Sequence, residues 1–279
     1  VARLTANGDF DGGFDGPPPV SPANGRFLVP HIGSNATYPE GAQAVLINST
    51  GKILLAGSCR DVEITACLVK LNANGSFDST FDGASGAGNG KVALDLGRSI
   101  NIDFTKIVLQ ADDYVLVPGH CSDALSGACV VRVKPDGVID TSFGGNLSSA
   151  SYPLGVAHAG NGVFVPIAAA VHFDGRIVLA GPNFQVTRLS GDGFPDNTFD
   201  GPPPSNADGF VQVSLGTFSQ VSRAMQLQPD GKILLAGYCQ SSFSAPTTFC
   251  IARLNPGSSG ARNCTPDIDG DGRTTATVD

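Results

Sequence analysis

The sequence predicts an all-β protein, a β-propeller built from repeats of about 60 residues with four-stranded antiparallel blades, and three observations lead there. A glycine-bracketed apolar strand recurs as Gly-Lys-Ile-Leu-Leu-Ala-Gly at 51–57, Asp-Tyr-Val-Leu-Val-Pro-Gly at 113–119, Gly-Arg-Ile-Val-Leu-Ala-Gly at 175–181 and Gly-Lys-Ile-Leu-Leu-Ala-Gly at 231–237, at spacings of 62, 62 and 56. Each copy is followed in the same register by a strand bearing a cation: Lys70-Leu71, Arg132-Val133, Arg188-Leu189 and Arg253-Leu254, with a further pair, Arg3-Leu4, at the start. The acidic residues are 23 Asp and only two Glu, Glu40 and Glu63, beside 36 Gly and 19 Pro. Asp, Gly and Pro form turns whereas Glu forms helices, so a helical protein is disfavoured.

Each unit reads as four short strands. One lies near Phe27–Pro30 or Lys91–Leu96, the next near Ala44–Ile47 or Lys106–Gln110, then the Ile-Leu-Leu-Ala strand, then the strand with Lys or Arg. Asp174-Gly175 and Asp230-Gly231 between the second and third strands are hairpin-turn chemistry, because Gly accepts positive φ. The third strand is apolar at successive positions, Ile53, Leu54, Leu55 and Ala56, so both faces of its sheet must be covered. A propeller does this by packing each blade between two neighbours. The division that follows is an orphan strand at 1–4, blades at about 5–71, 72–133, 134–189 and 190–254, a linker at 255–263 and an acidic tail at 264–279.

Beyond the cation strands lie loops that place Asp11, Asp78, Asp140 and Asp196 three residues before Phe14, Phe81, Phe143 and Phe199. The combined theme, Pro-Asp-Gly-Lys-Ile-Leu-x-Ala-Gly, then Arg-Leu-Asn-x-Asp-Gly, then Asp-x-x-Phe, resembles the bacterial delta-sixty propeller repeats, with Pro229 to Gly237 the fullest match. The resemblance covers about residues 1–254. The second unit departs from it with Asp112-Asp113-Tyr114 at the turn, and the fourth lacks the closing Asp-x-x-Phe loop. It implies a secreted or surface β-propeller and does not by itself imply an activity.

Seven cysteines without a Cys-x-x-Cys pair favour disulfides over metal or redox chemistry. Cys59 and Cys67, Cys121 and Cys129, and Cys239 and Cys250 occupy one register: two residues after the closing Gly, and three before the cation. Facing positions of a hairpin bring Cα atoms about 4.5–5.5 Å apart, within disulfide reach, so these three pairs are expected to bond. Disulfides require an oxidising compartment and agree with a secreted product at the cell surface or beyond it. Cys264 is left without an assigned partner.

The remaining candidates are sites of binding. Asp267, Asp269 and Asp271 alternate before Gly272 as in the first half of an EF-hand-type Ca2+ loop, but Val278 stands at position 12. The segment reads either as the opening of a dockerin-like loop or as an acidic tail. Val1, Ala2, Arg3 and Leu4 form a fifth copy of the last strand without the preceding three. Either the chain, which begins at Val1 without Met, belongs to a larger ring, or this strand pairs with a sheet edge of this chain or of another copy; addition between copies would build a filament. The recurring Asp residues read as Asx-type turns and the Phe residues as plugs between blades. The recurring cations read as guards against edge pairing or, secondarily, as a ring around an anion. His31, His120, His158 and His172 share no metal spacing, and Asn35, Asn48, Asn74, Asn146 and Asn263 fit the short glycosylation pattern.

A net charge of −8 with scattered basic residues excludes the footprint of a nucleic-acid binder. The longest apolar run, Val163 to Val171, contains Pro166 and is too short to span a membrane. No catalytic motif occurs. The expected function is a non-enzymatic extracellular structural or adhesive module, self-assembling by edge-strand donation. The alternative is a ligand-binding propeller, or a hydrolase of surface glycans using acidic loop residues.

Overall fold

The computed structural model describes residues 1–14, 16, 25–26, 28–30, 32, 41–60, 64–86, 88–94, 96, 106–121, 127–144, 155–159, 164–199, 208–255, 267–268 and 274–278. The chain divides into two compact units, Val1–Val117 with Arg132–Asp140, and Pro118–Val131 with Thr141–Asp279. Strands β1 (Gly41–Ile47), β2 (Ile53–Arg60), β3 (Ile64–Leu71) and β4 (Lys91–Leu94) form the first sheet in chain order. Strands β5 (Val108–Leu109), β6 (Val115–Cys121), β7 (Gly127–Val133) and β8 (Val156–His158) form the second in the same way. The third holds β9 (Ala168–Val171), β10 (Ile177–Gly181), β11 (Gln185–Leu189) and β12 (Phe210–Gln212). The fourth begins with β13 (Ser219–Leu227), β14 (Ile233–Gln240) and β15 (Thr248–Leu254), and continues through β16 (Asp267–Ile268) and β17 (Thr274–Val278), with β17 parallel to β15. Helical structure among the described residues is confined to three 3-10 turns, at Gly83–Ser85, Ala111–Asp113 and Pro182–Phe184. Small antiparallel sheets repeated along the chain are the β-propeller class expected.

The sheets correct the division of the chain by one strand. Lys91–Leu94 was expected to open the blade at 72–133, yet β4 pairs with β3, Val69 opposite Lys91. The cause lies in the Asp-x-x-Phe loop, which folds back along the cation strand: Asp78 N–H donates to the Lys70 carbonyl and Lys70 N–H to the Gly90 carbonyl. That loop connects strands of one blade, so the sheets span 41–94, 108–158 and 168–212, and the fourth begins at 219. In the segment expected as the strand Phe27–Pro30, Leu28 to Pro30 lie outside any strand and Phe27 is not among the described residues, while Arg26, just before it, bridges to Ala2.

The turns follow their chemistry. Gly51, Gly175 and Gly231 all have φ near +80°, at +77°, +86° and +83°. Where the second repeat lacks this glycine, Asp112 and Asp113 take the left-handed conformation themselves, at φ +60° and +61°, which Asp does more readily than most residues. The glycine that closes each Ile-Leu-Leu-Ala strand has a different reason. The neighbouring strand bulges between Ala42 and Ala44, and again between Ser222 and Ala224. A Cβ on Gly57 or Gly237 would lie 1.9 Å from the carbonyl oxygen of Gly41 or Val221.

Packing explains why the third strand of each unit does not alternate. In the second unit, Val178, Ala180 and Val186 on one face of the third sheet pack with Ile233, Leu235, Ala252 and Leu254 of the fourth, joined by Phe184 and Phe199. In the first unit, Ile53, Leu55, Val69 and Leu71 pack with Phe14, Val1, Val29 and Ile32. Strands with both faces in contact lose the polar alternation of a half-wet sheet.

Cys59–Cys67, Cys121–Cys129 and Cys239–Cys250 are disulfide-bonded, each with Cα atoms 5.8 Å apart. The first and third pairs sit diagonally rather than face to face: Gly57 is opposite Cys67 while Cys59 is opposite Thr65, and Gly237 is opposite Cys250 while Cys239 is opposite Thr248. In the third sheet, which lacks cysteines, Gly181 pairs with Gln185 and the turn buries Phe184 instead. Its amide donates to Ser222 Oγ at 3.0 Å. Alkylation of the denatured, unreduced protein should leave these six cysteines unmodified, and reductant should expose all six to intact-mass measurement; labelling of any of them before reduction refutes the pairing. The bonded cysteines are only 8, 8 and 11 residues apart, so each bridge should contribute less than about 3 kcal/mol to stability.

Candidate functional site

The charged residues that recur once per repeat are brought together in pairs. Arg3 Nε lies 2.8 Å from Asp11 Oδ2, Arg132 Nε 2.7 Å from Asp140 Oδ2, and Arg188 Nε 2.7 Å from Asp196 Oδ2. Lys70 Nζ stands 3.8 Å from Asp78 Oδ2, where Lys52 Nζ approaches to 2.7 Å. Arg176, the counterpart of Lys52, adds a second cation to Asp196 at 3.0 Å. The other carboxylate oxygen closes an Asx turn, as expected. Asp11 Oδ1 accepts from Gly13 N–H, and Asp78 and Asp196 accept from the backbone and hydroxyl of Thr80 and Thr198.

The same turn sets the phenylalanine. The amides of Phe14, Phe81 and Phe199 donate to the carbonyls of Asp11, Asp78 and Asp196. The cation then lies over the ring, at 5.0 Å for Arg3 on Phe14, 5.4 Å for Lys70 on Phe81 and 4.5 Å for Arg188 on Phe199. All four phenylalanines are buried. The bracket also reaches the next repeat: Arg3 donates to the Ala73 carbonyl and Lys70 to the Pro135 carbonyl, at equivalent positions of successive turns. Gly75, in the first of those turns, and Gly193, in the corresponding turn of a later repeat, sit against Phe14 and Phe143 with no room for a Cβ.

This corrects the reading of the cations as edge guards or an anion ring. Lys70 and Arg188 are buried and paired. Burial pushes both below their ordinary pKa values, opposed by Asp78 and Asp196. Burial would raise the Asp78 and Asp196 carboxyls, but hydrogen bonds from Lys52 and Thr80, and from Thr198 and Arg188, outweigh it and hold both below the ordinary carboxylate value. Arg253, whose repeat lacks the loop, has no carboxylate partner among the described residues.

The other candidates are not brought into one site. Ala2 bridges to Arg26 and Leu4 to Phe10, so the Val1–Leu4 strand is seated on its own chain. The backbone of Asp267 pairs with Thr275; Asp269, Asp271 and Cys264 lie outside the described residues. Among the described residues no group of three His, Cys, Asp or Glu is placed to hold a metal. His172 Nδ1 lies 2.8 Å from Asp174 Oδ1, and its ring is near Phe173. The Asn48 amide donates to Asp113, while its oxygen accepts from Thr50 and Lys52; the Asn74 oxygen accepts from Ser76. Asn35, Asn146 and Asn263 lie outside the described residues, as does His31.

Two features escaped the sequence reading. Lys52 and Arg176 complete the brackets, and their recurrence directly after the turn glycine was the available signal. A hollow on the first sheet is lined, among the described residues, by apolar side chains such as Val29, Ile32, Ala42, Leu55 and Val69, and by the bonded Cys67.

The family model described as domain of unknown function (DUF5122) beta-propeller matches residues 49–81 and 228–259. The fold is a β-propeller. No curated protein matches the sequence. Similar solved structures include virginiamycin B lyase from Staphylococcus aureus, a catalytically inactive variant with quinupristin, at 12% identity and TM-score 0.43 over 77% of this chain and 57% of that one. A protein of unknown function from Dyadobacter fermentans is 10% identical, TM-score 0.44, over 76% and 52%. An endo-arabinase from Bacteroides thetaiotaomicron is 8% identical, TM-score 0.33, over 83% and 80%. The chain spans about half the length of the first two.

Removing one partner of a buried pair leaves the other charge uncompensated, so Asp196→Asn should cost about 3 kcal/mol in denaturant unfolding at pH 7. Asp78 and Asp196 are depressed below an unfolded value of about 3.9, so their stabilisation is present above that pH and is lost as pH falls through the folded-state values. Asp196→Asn should flatten this acid limb. A variant with unchanged stability and the same acid limb would show that the bracket is not structural.

Proposed function

We propose that the chain is a non-enzymatic, extracellular structural or adhesive β-propeller module that associates with further copies of itself. One observation carries this reading: the acidic residues that recur with the repeat are engaged, one per repeat, in brackets that hold loops to strands. Acid–base catalysis needs titratable groups converged in one pocket with their pKa values driven apart. Here Asp78 and Asp196 sit in separate, equivalent brackets and shift the same way, and the hollow on the first sheet has an apolar lining among the described residues.

The three disulfides favour an oxidising compartment, in keeping with the secreted character that the delta-sixty resemblance implies. Surface glycans are the partner class of the adhesive form, and Ca2+ at Asp267, Asp269 and Asp271 would be an accessory to it. Edge-strand donation through Val1, Ala2, Arg3 and Leu4 is one route to self-association. It would have to release the Arg3–Asp11 pair and the Ala2 bridge to Arg26, which weighs against it.

Incubated with a panel of plant and bacterial cell-wall polysaccharides, the purified protein should release no reducing sugar above buffer, while sedimenting with those it adheres to. Release of sugar that persists through purification and disappears on substitution of a single Asp would overturn the reading in favour of a hydrolase.

A further inference from the structure

The packing of the sheets does not account for Phe173. It stands in the turn between β9 and β10, where the equivalent residues of the other repeats are Ser49, Ala111 and Pro229, so the turn itself does not require an aromatic side chain. Its ring is 82% exposed although the neighbouring turn, that of the fourth sheet, is already in place beside it. The ring is held from behind. His172 is buried, its amide donates to the Arg176 carbonyl at 2.8 Å, and its Nδ1 lies 2.8 Å from Asp174 Oδ1. The His172 and Phe173 rings have centroids 4.1 Å apart and are tilted by 38°. Gly231, in the turn of the fourth sheet, closes on both: a Cβ there would lie 3.2 Å from Phe173 Cε1 and would strike the His172 ring.

Polar groups of matched charge stand in the two turns. Arg176 Nη1 lies 3.0 Å from Asp174 Oδ2 and Lys232 Nζ 2.8 Å from Asp230 Oδ2, and all four side chains remain partly exposed. Beside the ring the turn is open, since a Cβ on Gly175 would meet nothing within 4 Å. These features narrow the ligand. One phenyl ring offers roughly 200 Å² of apolar area, far below the roughly 800 Å² per partner of a stable contact between proteins. A ring so exposed covers one face of its ligand, whereas a pocket for a small molecule buries most of it. It suits a polymer of identical units, each held weakly and many held together. The electron-rich face of the ring attracts C–H groups. A pyranose with equatorial substituents presents a face of axial C–H groups and keeps its hydroxyls at the rim, where carboxylates accept and cations donate.

We propose that Phe173 is a stacking platform for a neutral polysaccharide of equatorially substituted pyranoses, the chemistry shared by β-linked glucan, xylan and chitin, with the Asp174–Arg176 and Asp230–Lys232 pairs bonding its hydroxyls. This rests on the adhesive reading and deepens it by naming the site and the class of glycan. Each carboxylate beside the ring is already matched by a cation, so a neutral chain binds without separating either pair, whereas a uronate polymer would compete for the cations. A ring fixed by His172 and Gly231 has little freedom left to lose on binding.

Co-sedimentation of the full chain with insoluble cellulose, xylan and chitin tests this, the folding of each variant being checked by circular dichroism. The unsubstituted protein should bind at least one of the three, and raising NaCl to about 0.5 M should change the association constant by less than about twofold. Phe173→Ala should weaken that binding by about fivefold or more, and so should Phe173→Ser, which installs the residue that the turn of the first sheet carries. Phe173→Tyr should retain it. Phe243→Ala, which removes another exposed ring at the opposite end of the strands, should retain it too. Undiminished binding without the Phe173 ring, an equal loss in Phe243→Ala, or release by salt overturns the proposal and leaves the adhesive reading standing. Binding to none of the three overturns it as well; adhesion then stands only if another polysaccharide of the wider panel is bound. Sugar release would instead remove the non-enzymatic reading without altering which ring the binding needs.

Discussion

The bracket of cation, carboxylate and phenyl ring is the constraint on which the architecture turns. A small sheet with two apolar faces is unstable alone, and hydrophobic contact with a neighbour is non-directional. Stacking by itself would not fix how one sheet sits on the next. The bracket supplies that register. Its Asp-x-x-Phe loop folds back on the cation strand and turns the phenylalanine inward, while Arg3 and Lys70 reach carbonyls of the following repeat. A buried ion pair often adds little net stability, because desolvation offsets the Coulomb attraction. Here both oxygens of Asp78 and Asp196 have donors, and the cations sit on aromatic faces, so the desolvation is largely compensated.

Two backbone features support the same arrangement. The bulges beside Gly57 and Gly237 bring a neighbouring carbonyl so close that no side chain fits, which is why the apolar strand ends in glycine in these repeats. The disulfides then clip the connection between the third and second strands from the edge just beyond that glycine, at the far end of the strands from the brackets. Charge fixes one end and sulfur the other. The third sheet has no sulfur bridge and closes its short connection by burying Phe184, so covalent linkage and aromatic packing serve one mechanical purpose.

Much of this was written in the sequence, and the misreadings have physical causes. Unbroken apolarity in Ile53, Leu54, Leu55 and Ala56 reports a strand covered on both sides, whatever covers it. The cysteines were legible because strand pairing turns equal offsets into equal positions. The blade phase was not, because Lys91–Leu94 is separated by a loop from both neighbouring strands, and a regular repeat looks the same whichever strand is counted first. Eight residues separate Arg132 from Asp140, and only the folded-back loop puts them 2.7 Å apart.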